Sequence, residues 1–237
     1  MKFNKIPILI YHSIDNDKSR ISLDVISFEK QLRFLKQKGY KSINFNCIEN
    51  FNEKQIIITF DDGYKDNLLN ALPILKKYNF NATCFIITNF VGRTNSWDST
   101  HRDYIEKEFM NTGDIREWIS HGMTIGSHSQ NHKDLTILDN KNLDNELRKS
   151  KFFLEDLTSK NIDQFCYPFG KVNLNVYENV KNLYKNAFTT NRSRYNALEH
   201  DNFLLPRIDM GKDISNLKML IKLETIYEDI KFKKNEF

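Results

Sequence analysis

The chain has 237 residues, of which 40% are hydrophobic and 28% are charged. Its 35 basic and 31 acidic side chains leave a formal net charge of +4, and both signs are interspersed along the sequence. This even distribution lacks the basic footprint of a nucleic-acid-binding protein. Aromatic residues make up 13% and Gly and Pro are few, which excludes a disordered or low-complexity chain. We therefore expect one globular domain over residues 1–237.

The cysteines and the N-terminal region bear on the compartment. Cys47, Cys84 and Cys166 are odd in number and far apart, so they do not form a disulfide framework, and a reducing compartment is favoured. The apolar run from Ile6 to Tyr11 contains Pro7, is short for a signal peptide and precedes no small-residue cleavage site. Eighteen successive apolar residues occur nowhere, so no membrane span is expected. These features predict a cytoplasmic protein, and no pattern indicates its oligomeric state.

Short apolar runs alternate along the chain with longer segments of helical period. Strands are predicted at 8–11, 42–45, 56–60, 82–88, 123–127, 164–167, 187–190 and 203–208. Helices are predicted before Gly39, at 67–78 with a kink at Pro73, and at 114–120, 139–157, 176–185 and 214–221. The polar stretch 89–113 is predicted to be a long loop with one short helix, and such loops often contribute to a site.

This repeated alternation of strand and helix predicts an α/β protein with a mainly parallel sheet. About seven parallel strands suit a distorted or incomplete (β/α) barrel slightly better than an open doubly wound sheet. A glycine-rich phosphate loop follows none of the predicted strands, so a nucleotide-binding fold loses its main support.

The sharpest local motif is Thr59-Phe60-Asp61-Asp62-Gly63, at the carboxyl end of the most buried-looking strand. Sites of parallel α/β folds are built at this end, and a turn at Gly63 can aim both carboxylates into one pocket. Two crowded carboxylates repel each other when ionised, so a cation or a shared proton is expected beside them. An Asp that merely caps the following helix is the competing interpretation.

The second motif is Ser127-His128-Ser129-Gln130-Asn131-His132, again at the end of a predicted strand. Two imidazoles four residues apart meet if the segment coils into a helical turn, which suits a metal site. The alternative is a pair of unrelated surface histidines. Since the chain has only six His and this pair shares its strand-end position with the Asp pair, the two motifs together offer a zinc-like His/His/Asp set.

A third motif, Tyr167-Pro168-Phe169-Gly170, follows another strand and by itself predicts only a turn. Together, TFDDG, SHSQNH and YPFG, in this order, resemble the polysaccharide deacetylase family, the chitooligosaccharide deacetylase-like carbohydrate esterases. The segments YHSI and NATCFI resemble the same family, so the similarity runs from about Pro7 to Ile208.

The resemblance implies a role for each matching residue. Asp62, His128 and His132 match the family's ligands for a divalent metal, with zinc the first expectation and cobalt or nickel as alternatives. Asp61 matches the catalytic base, and the backbone N–H of Phe169 matches the amide that helps to bind the oxyanion. The implied chemistry is hydrolysis of an acetamide, with a metal-polarised carbonyl, a water deprotonated by Asp61 and an oxyanion held by preorganised groups.

The chain departs from the family pattern in its third motif. An Arg usually orients the base there, whereas this chain has Cys166 and Tyr167 near that place. Arg207, at the end of a later strand, is our candidate to reach Asp61 instead, and a solvated Arg is the alternative.

The family's late Leu-x-His general acid is also missing, because no histidine follows His200. His12, at the end of the first strand, is our candidate for a substitute acid or substrate contact, with Asp209 as its possible orienting partner. A packed, hydrogen-bonded histidine is the competing interpretation of His12. In the long loop, Trp97, His101 and Tyr104 could form an aromatic wall for a sugar ring, or could anchor the loop to the core.

These features predict a divalent-metal-dependent deacetylase that removes an N-acetyl or similar small acyl group from an amino-sugar-containing glycan or its precursor. The expected partner is an amino-sugar or oligosaccharide substrate. One alternative is an amidase or deformylase acting on a non-polymeric substrate. The other is a catalytically silent glycan-binding module that keeps the metal site, which the missing Arg and Leu-x-His favour.

Overall fold

The computed structural model describes residues 5–48, 53–96, 99, 104–212 and 214–233. The strands are β1 (Ile8–Tyr11), β2 (Ser13–Ile14), β3 (Ser22–Leu23), β4 (Lys41–Ser42), β5 (Gln55–Phe60), β6 (Thr83–Ile86), β7 (Thr124–Ser127), β8 (Gln164–Cys166), β9 (Asn186–Phe188) and β10 (Ile208–Asp209). The α-helices are α1 (Val25–Gln37), α2 (Leu72–Tyr78), α3 (Thr112–Ser120), α4 (Asn140–Thr158), α5 (Leu174–Leu183) and α6 (Asn216–Glu224).

Seven parallel strands form one sheet in the order β10-β1-β5-β6-β7-β8-β9, and β4 pairs in parallel with β5 beside this path. The sheet curls into part of a barrel with helices around it, which confirms the predicted distorted (β/α) barrel. Leu205 bridges Phe188 of β9, and directly after Arg207 the same segment pairs with β1 through β10. The segment 205–209 therefore runs from β9 to β1 and places Arg207 between them.

The two faces of the sheet bury different sets of residues, because successive side chains of a strand alternate between faces. On β5, Ile58 and Phe60 pack in the main core against the helices, whereas Ile57 belongs to a second cluster inside the barrel. The interior cluster consists of Ile6, Ile8, Phe45, Ile57, Phe85, Cys166, Phe188, Tyr195 and Leu205. Two-residue steps from Ile57 and Leu205 lead to Thr59, Asp61 and Arg207, so these polar groups are aimed into the upper end of the barrel.

The structure corrects several predicted boundaries. The strand predicted at 42–45 is only β4, since Phe45–Cys47 forms a 3₁₀ turn. The strand predicted at 82–88 ends at Ile86, and the one predicted at 203–208 is regular only at Ile208–Asp209. Such short strands contain too few residues to show a two-residue period clearly.

The helix predicted at 67–78 has a change of winding instead of a simple kink. Asn67–Ala71 is π-helical and continues into α2, with Pro73 in the first turn of α2. Since proline has no N–H and its ring crowds the carbonyl four residues earlier, the wider turn accommodates it. Within the described residues, no helix has the length and apolarity needed to cross a bilayer.

Candidate active site

Asp61 and Asp62 lie at the carboxyl end of β5 and diverge because the backbone turns between them. Asp61 continues the interior face of the strand, whereas Asp62 has a φ of 74° and Gly63 a φ of 88°. A side chain at Gly63 would also come within 2.9 Å of Ile86, so this turn requires glycine. Both carboxylates are buried, and their partners are Arg207 and two histidines. The interpretation of either Asp as a mere helix cap is therefore wrong.

Asp62 and the two histidines form a compact set of three potential ligands. The Oδ1 atom of Asp62 lies 3.5 Å from His128 Nε2 and 3.6 Å from His132 Nε2. These distances are long for hydrogen bonds, but two ligands each about 2 Å from a tetrahedral ion are separated by about 3.3 Å. His128 Nδ1 lies 2.7 Å from the carbonyl oxygen of Cys166, which suits an Nδ1–H donor and leaves Nε2 as an acceptor. The donor types and spacing fit a divalent metal.

The turn that joins His128 to His132 differs from the predicted helical turn. Ser129 and His132 are left-handed, with φ values of 64° and 54°, and the His132 amide donates to Ser129 Oγ at 3.1 Å. This loop brings the two imidazole rings to 4.8 Å between centroids. The rings meet as expected, but left-handed residues rather than a helix produce the approach.

Glu146 on α4 stabilises this turn, and the sequence analysis missed it. Its carboxylate accepts hydrogen bonds from the backbone amides of Gln130 (3.0 Å) and Asn131 (2.8 Å) and from the Asn131 side chain (2.7 Å). Glu146 is buried on the same helix face as Leu143 and Leu147. The sequence signal for this role was the position of Glu146 among the apolar residues of α4. A carboxylate on the buried face of a helix is rarely left without hydrogen-bond partners.

Asp61 forms a buried, bidentate ion pair with Arg207. Nη1 and Nη2 of Arg207 donate to the two carboxylate oxygens of Asp61, each at 2.7 Å. The structure thus brings together the base candidate, Asp61, and the arginine that the sequence analysis selected for it. Arg207 is only 1% exposed, which contradicts the alternative of a solvated Arg.

The remaining donors of Arg207 are also satisfied. Nε donates to the Thr189 carbonyl oxygen at 2.8 Å, Nη1 to Thr59 Oγ1 at 3.1 Å, and Nη2 to Cys166 Sγ at 3.1 Å. All five N–H groups of the guanidinium therefore have acceptors, which offsets the cost of burying the charge. Cys166 lies near the position where the third motif of the family usually has an arginine. Its small side chain leaves room for the guanidinium of Arg207, which comes from a later segment of the chain.

The surroundings keep both carboxylates ionised. Burial alone would raise the pKa of Asp61, but the Arg207 guanidinium outweighs burial and holds that pKa below its usual value. Burial would likewise raise the pKa of Asp62, but its contacts with His128 and His132 outweigh burial and hold that pKa well below its usual value. Burial lowers the pKa of His132 to about 4, so this imidazole is neutral at pH 7 and can act as a ligand.

The motif around Phe169 forms a strained turn next to the histidines. Phe169 has a φ of 59° and Gly170 a φ of 68°, and a Cβ at Gly170 would lie 2.8 Å from the Thr190 backbone nitrogen. The Phe169 ring is 56% exposed and lies 4.5 Å from the His132 ring between centroids. Phe169 is thus placed beside the metal candidates, and the role of its N–H in binding an oxyanion stays a prediction.

A cavity of about 600 Å³ opens onto these groups. His12 lines it and is half-buried, so the structure places His12 at the site while its role stays a prediction. Asp209 also lines the cavity, and its Oδ1 accepts a hydrogen bond from the Gly211 amide at 3.1 Å.

Three aromatic residues of the long loop were predicted to form a wall for a sugar ring. Of these, Trp97 and His101 lie outside the described residues. Tyr104 is not among the lining residues, and its hydroxyl lies 3.4 Å from Glu106.

The comparison with known families decides the assignment. The family model for polysaccharide deacetylase matches residues 48–187, more than half of the chain. The chain belongs to the polysaccharide deacetylase family. This confirms the resemblance inferred from the three motifs.

Individual polysaccharide deacetylases and related structures resemble this chain over most of its length. It is 32% identical, over 71% of its length, to the Bacillus subtilis (strain 168) protein YxkH, whose name places it with the polysaccharide deacetylases, and it spans 58% of that relative. It is 26% identical, over 78% of its length, to the poly-β-1,6-N-acetyl-D-glucosamine N-deacetylase of Staphylococcus epidermidis, of which it covers 67%. The structure of the Streptococcus pyogenes deacetylase PplD in complex with acetate superposes with a TM-score of 0.81, at 26% identity, covering 93% of this chain and 98% of the other.

Proposed function

We propose that this protein is a divalent-metal-dependent deacetylase that removes an N-acetyl or similar small acyl group from an amino-sugar-containing glycan or its precursor. One observation carries the proposal: Asp62, His128 and His132 converge within 4.8 Å, beside a separate carboxylate, Asp61, that an arginine keeps ionised. Family membership and relatives named as N-deacetylases support the same reaction.

The residues of the chain divide the chemistry between them. Asp62, His128 and His132 would hold a divalent cation, which would supply Lewis acidity to the amide carbonyl and to the attacking water. Asp61 accepts a proton from that water, and Arg207 orients its carboxylate. The Phe169 N–H donates to the oxyanion that forms at the former carbonyl oxygen. His12 is the candidate that returns a proton to the leaving amine.

Three finer assignments belong to this proposal. Zinc is the first candidate metal because two imidazoles and one carboxylate are ligands that it accepts, and cobalt and nickel are the alternatives. A cytoplasmic site of action is supported by the buried free thiols of Cys84 and Cys166, which are typical of a reducing compartment. Residues 1–237 are proposed to form one catalytic domain.

The second candidate function is an amidase or deformylase on a non-polymeric substrate, favoured by the missing Leu-x-His motif. The silent binding module has less support, because Arg207 fills the place of the missing motif arginine.

The decisive experiment measures the metal content of the purified protein and the acids that it releases. We expect about one divalent ion per chain, acetate release from N-acetylated saccharides, loss of both on chelation, and recovery on adding Zn²⁺ or Co²⁺. Formate or acetate released only from simple amides would select the amidase. Oligosaccharide binding without any product after long incubation with metal would select the silent module and overturn the deacetylase.

A further inference from the structure

Besides Arg207, which is paired with Asp61, three cationic side chains line the cavity. Arg192 follows β9, Lys212 follows β10, and Arg20 lies in the turn between β2 and β3, which follows β1. β9, the segment leading into β10, and β1 are neighbours in the barrel. We term the three residues that follow them the cationic wall. The metal candidates come from the ends of β5 and β7 instead.

Two of the three charges in the cationic wall lack a compensating carboxylate. Arg192 is paired with buried Glu228 through Nε at 2.8 Å and Nη2 at 2.9 Å, so that pair is neutral. Lys212 Nζ donates to the carbonyl oxygen of Ser19 at 2.8 Å, which ties it to the residue preceding Arg20. Within the part of the chain that the structure describes, neither Arg20 nor Lys212 pairs with a carboxylate. Lys212 is thus tied to the segment that carries Arg20, and both charges line the cavity.

The carboxylates nearby do not cancel this charge. Among the described residues that line the cavity, Asp209 is the one carboxylate besides Asp61 and Asp62. Asp61 is neutralised by Arg207, and Asp62 faces the proposed metal. Asp15 and Asp17, on the same loop as Arg20, share Lys107 with Asp66, and none of these three carboxylates lines the cavity. The charges of Arg20 and Lys212 offset those of Asp62 and Asp209, so a bound divalent ion would leave the cavity with a positive balance.

This balance discriminates between classes of substrate. Removing acetyl groups from a neutral glycan creates ammonium groups, which a cationic surface repels. An anionic group on the substrate would instead be attracted, and Arg and Lys side chains can donate several hydrogen bonds to phosphate or carboxylate oxygens. We propose that the cationic wall binds an anionic group, a phosphate or a carboxylate, attached to the amino-sugar substrate; this inference rests on the deacetylase function proposed above.

The test compares matched compounds with the metal-loaded protein. Acetate release is measured from N-acetylglucosamine 1-phosphate, N-acetylmuramic acid and neutral methyl N-acetylglucosaminide. We expect kcat/KM to be about tenfold or more higher for at least one anionic compound, the size of one or two charge-assisted hydrogen bonds. The phosphate and the carboxylate compounds distinguish the two sources of charge. Raising the ionic strength from about 0.05 M to about 0.5 M should reduce the preference.

Variants locate the effect. Arg20→Gln and Lys212→Gln should each reduce the ratio of kcat/KM for the anionic over the neutral compound about tenfold. Lys218→Gln, which removes an exposed lysine of α6 that does not line the cavity, should leave that ratio unchanged. An equal or greater kcat/KM for the neutral compound in the wild-type protein would overturn the anion proposal and leave the deacetylase intact.

The binding of the same compounds, measured by titration calorimetry, separates the two proposals. If no acetate is released from any compound, the deacetylase proposal fails, but calorimetry still compares the anionic and neutral compounds without turnover. Tighter binding of the anionic compound that is lost in Arg20→Gln supports the cationic wall, and equal binding of both contradicts it.

Discussion

Asp61 and Asp62 are adjacent in the chain and stand on opposite sides of one site. Asp61 faces the barrel interior, where Arg207 satisfies both of its oxygens at 2.7 Å. Asp62 faces two imidazole nitrogens at 3.5 and 3.6 Å, and one imidazole has its other nitrogen committed to a backbone carbonyl. On the interior side both oxygens of Asp61 are paired with an arginine, whereas the other side groups one carboxylate and two imidazoles, the donor types of a divalent-metal site. One peptide unit therefore separates the proposed base from the proposed metal ligands.

The largest expected effect comes from exchanging each carboxylate for its amide. Asp62→Asn should abolish metal retention and lower the rate of acetate release at least about a thousandfold. Asp61→Asn should keep the metal and still lose about 10²–10⁴ in rate, because the proton acceptor is removed while the three ligand candidates are untouched. It also leaves buried Arg207 without its counter-ion, so the free energy of unfolding should fall as well. Elemental analysis and acetate release measure the two effects, with exposed Asp156→Asn on α4 as the control. Equal metal loss in both variants would contradict the division into two sides.

Removal of Arg207 tests whether the interior side depends on its charge. In Arg207→Met the buried Asp61 has no counter-ion, so we expect the free energy of unfolding to fall by about 3–5 kcal/mol. The pKa of Asp61 should rise because burial is no longer offset, so the base becomes protonated and activity shifts to higher pH. Urea unfolding and a pH profile of kcat/KM provide the measurements. Arg148→Met, which removes a half-exposed pair on α4, should cost less than about 1 kcal/mol.

Glu146→Gln perturbs the other side without touching a ligand. The amide of the variant has one oxygen, which can accept either from the backbone N–H groups of Gln130 and Asn131 or from the Asn131 side chain, but not from both sides. At least one of these hydrogen bonds is lost, so the turn that carries His132 should loosen. We expect metal affinity to fall about 10–100-fold, the usual size of such indirect effects on ligand orientation. Competition with a chelator measures the affinity. Exposed Glu178→Gln on α5 is the matched control, and unchanged affinity in Glu146→Gln would show that Glu146 supports only the fold.

The sequence predicts the Asp61–Arg207 side of the site to a different extent from the His132 side. The two-residue alternation of a strand places Ile57, Thr59 and Asp61 on one face of β5, and Leu205 and Arg207 on one face of the later segment, so each direction can be predicted. The meeting of these two faces inside the barrel depends on segment 205–209 running from β9 to β1, which no local pattern contains. The approach of His132 depends on left-handed residues other than glycine, which side-chain pattern does not reveal.

A third carboxylate, Asp229, provides a partly exposed counterpart to the Asp61–Arg207 pair. Its oxygens accept from Arg194 Nε at 3.2 Å and Nη2 at 2.7 Å, and from Lys5 at 3.2 Å. Burial would raise the pKa of Asp229, but these partners outweigh it and lower the pKa from 3.8 to about 2. The bidentate geometry matches that at Asp61, so the two pairs differ mainly in their access to solvent.

The smallest predicted effect is the pH dependence of this partly exposed pair. Because the folded pKa of Asp229 is depressed, its stabilisation is fully present above about pH 5 and is lost as the pH falls toward 2. After allowance for solvent screening we expect a loss of about 1 kcal/mol. Urea unfolding of the wild-type protein and of Asp229→Asn at several pH values isolates this part, since the other carboxylates titrate in both proteins. If Asp229→Asn removed as much stability at pH 7 as Arg207→Met, burial would not be what makes the interior pair so costly to break.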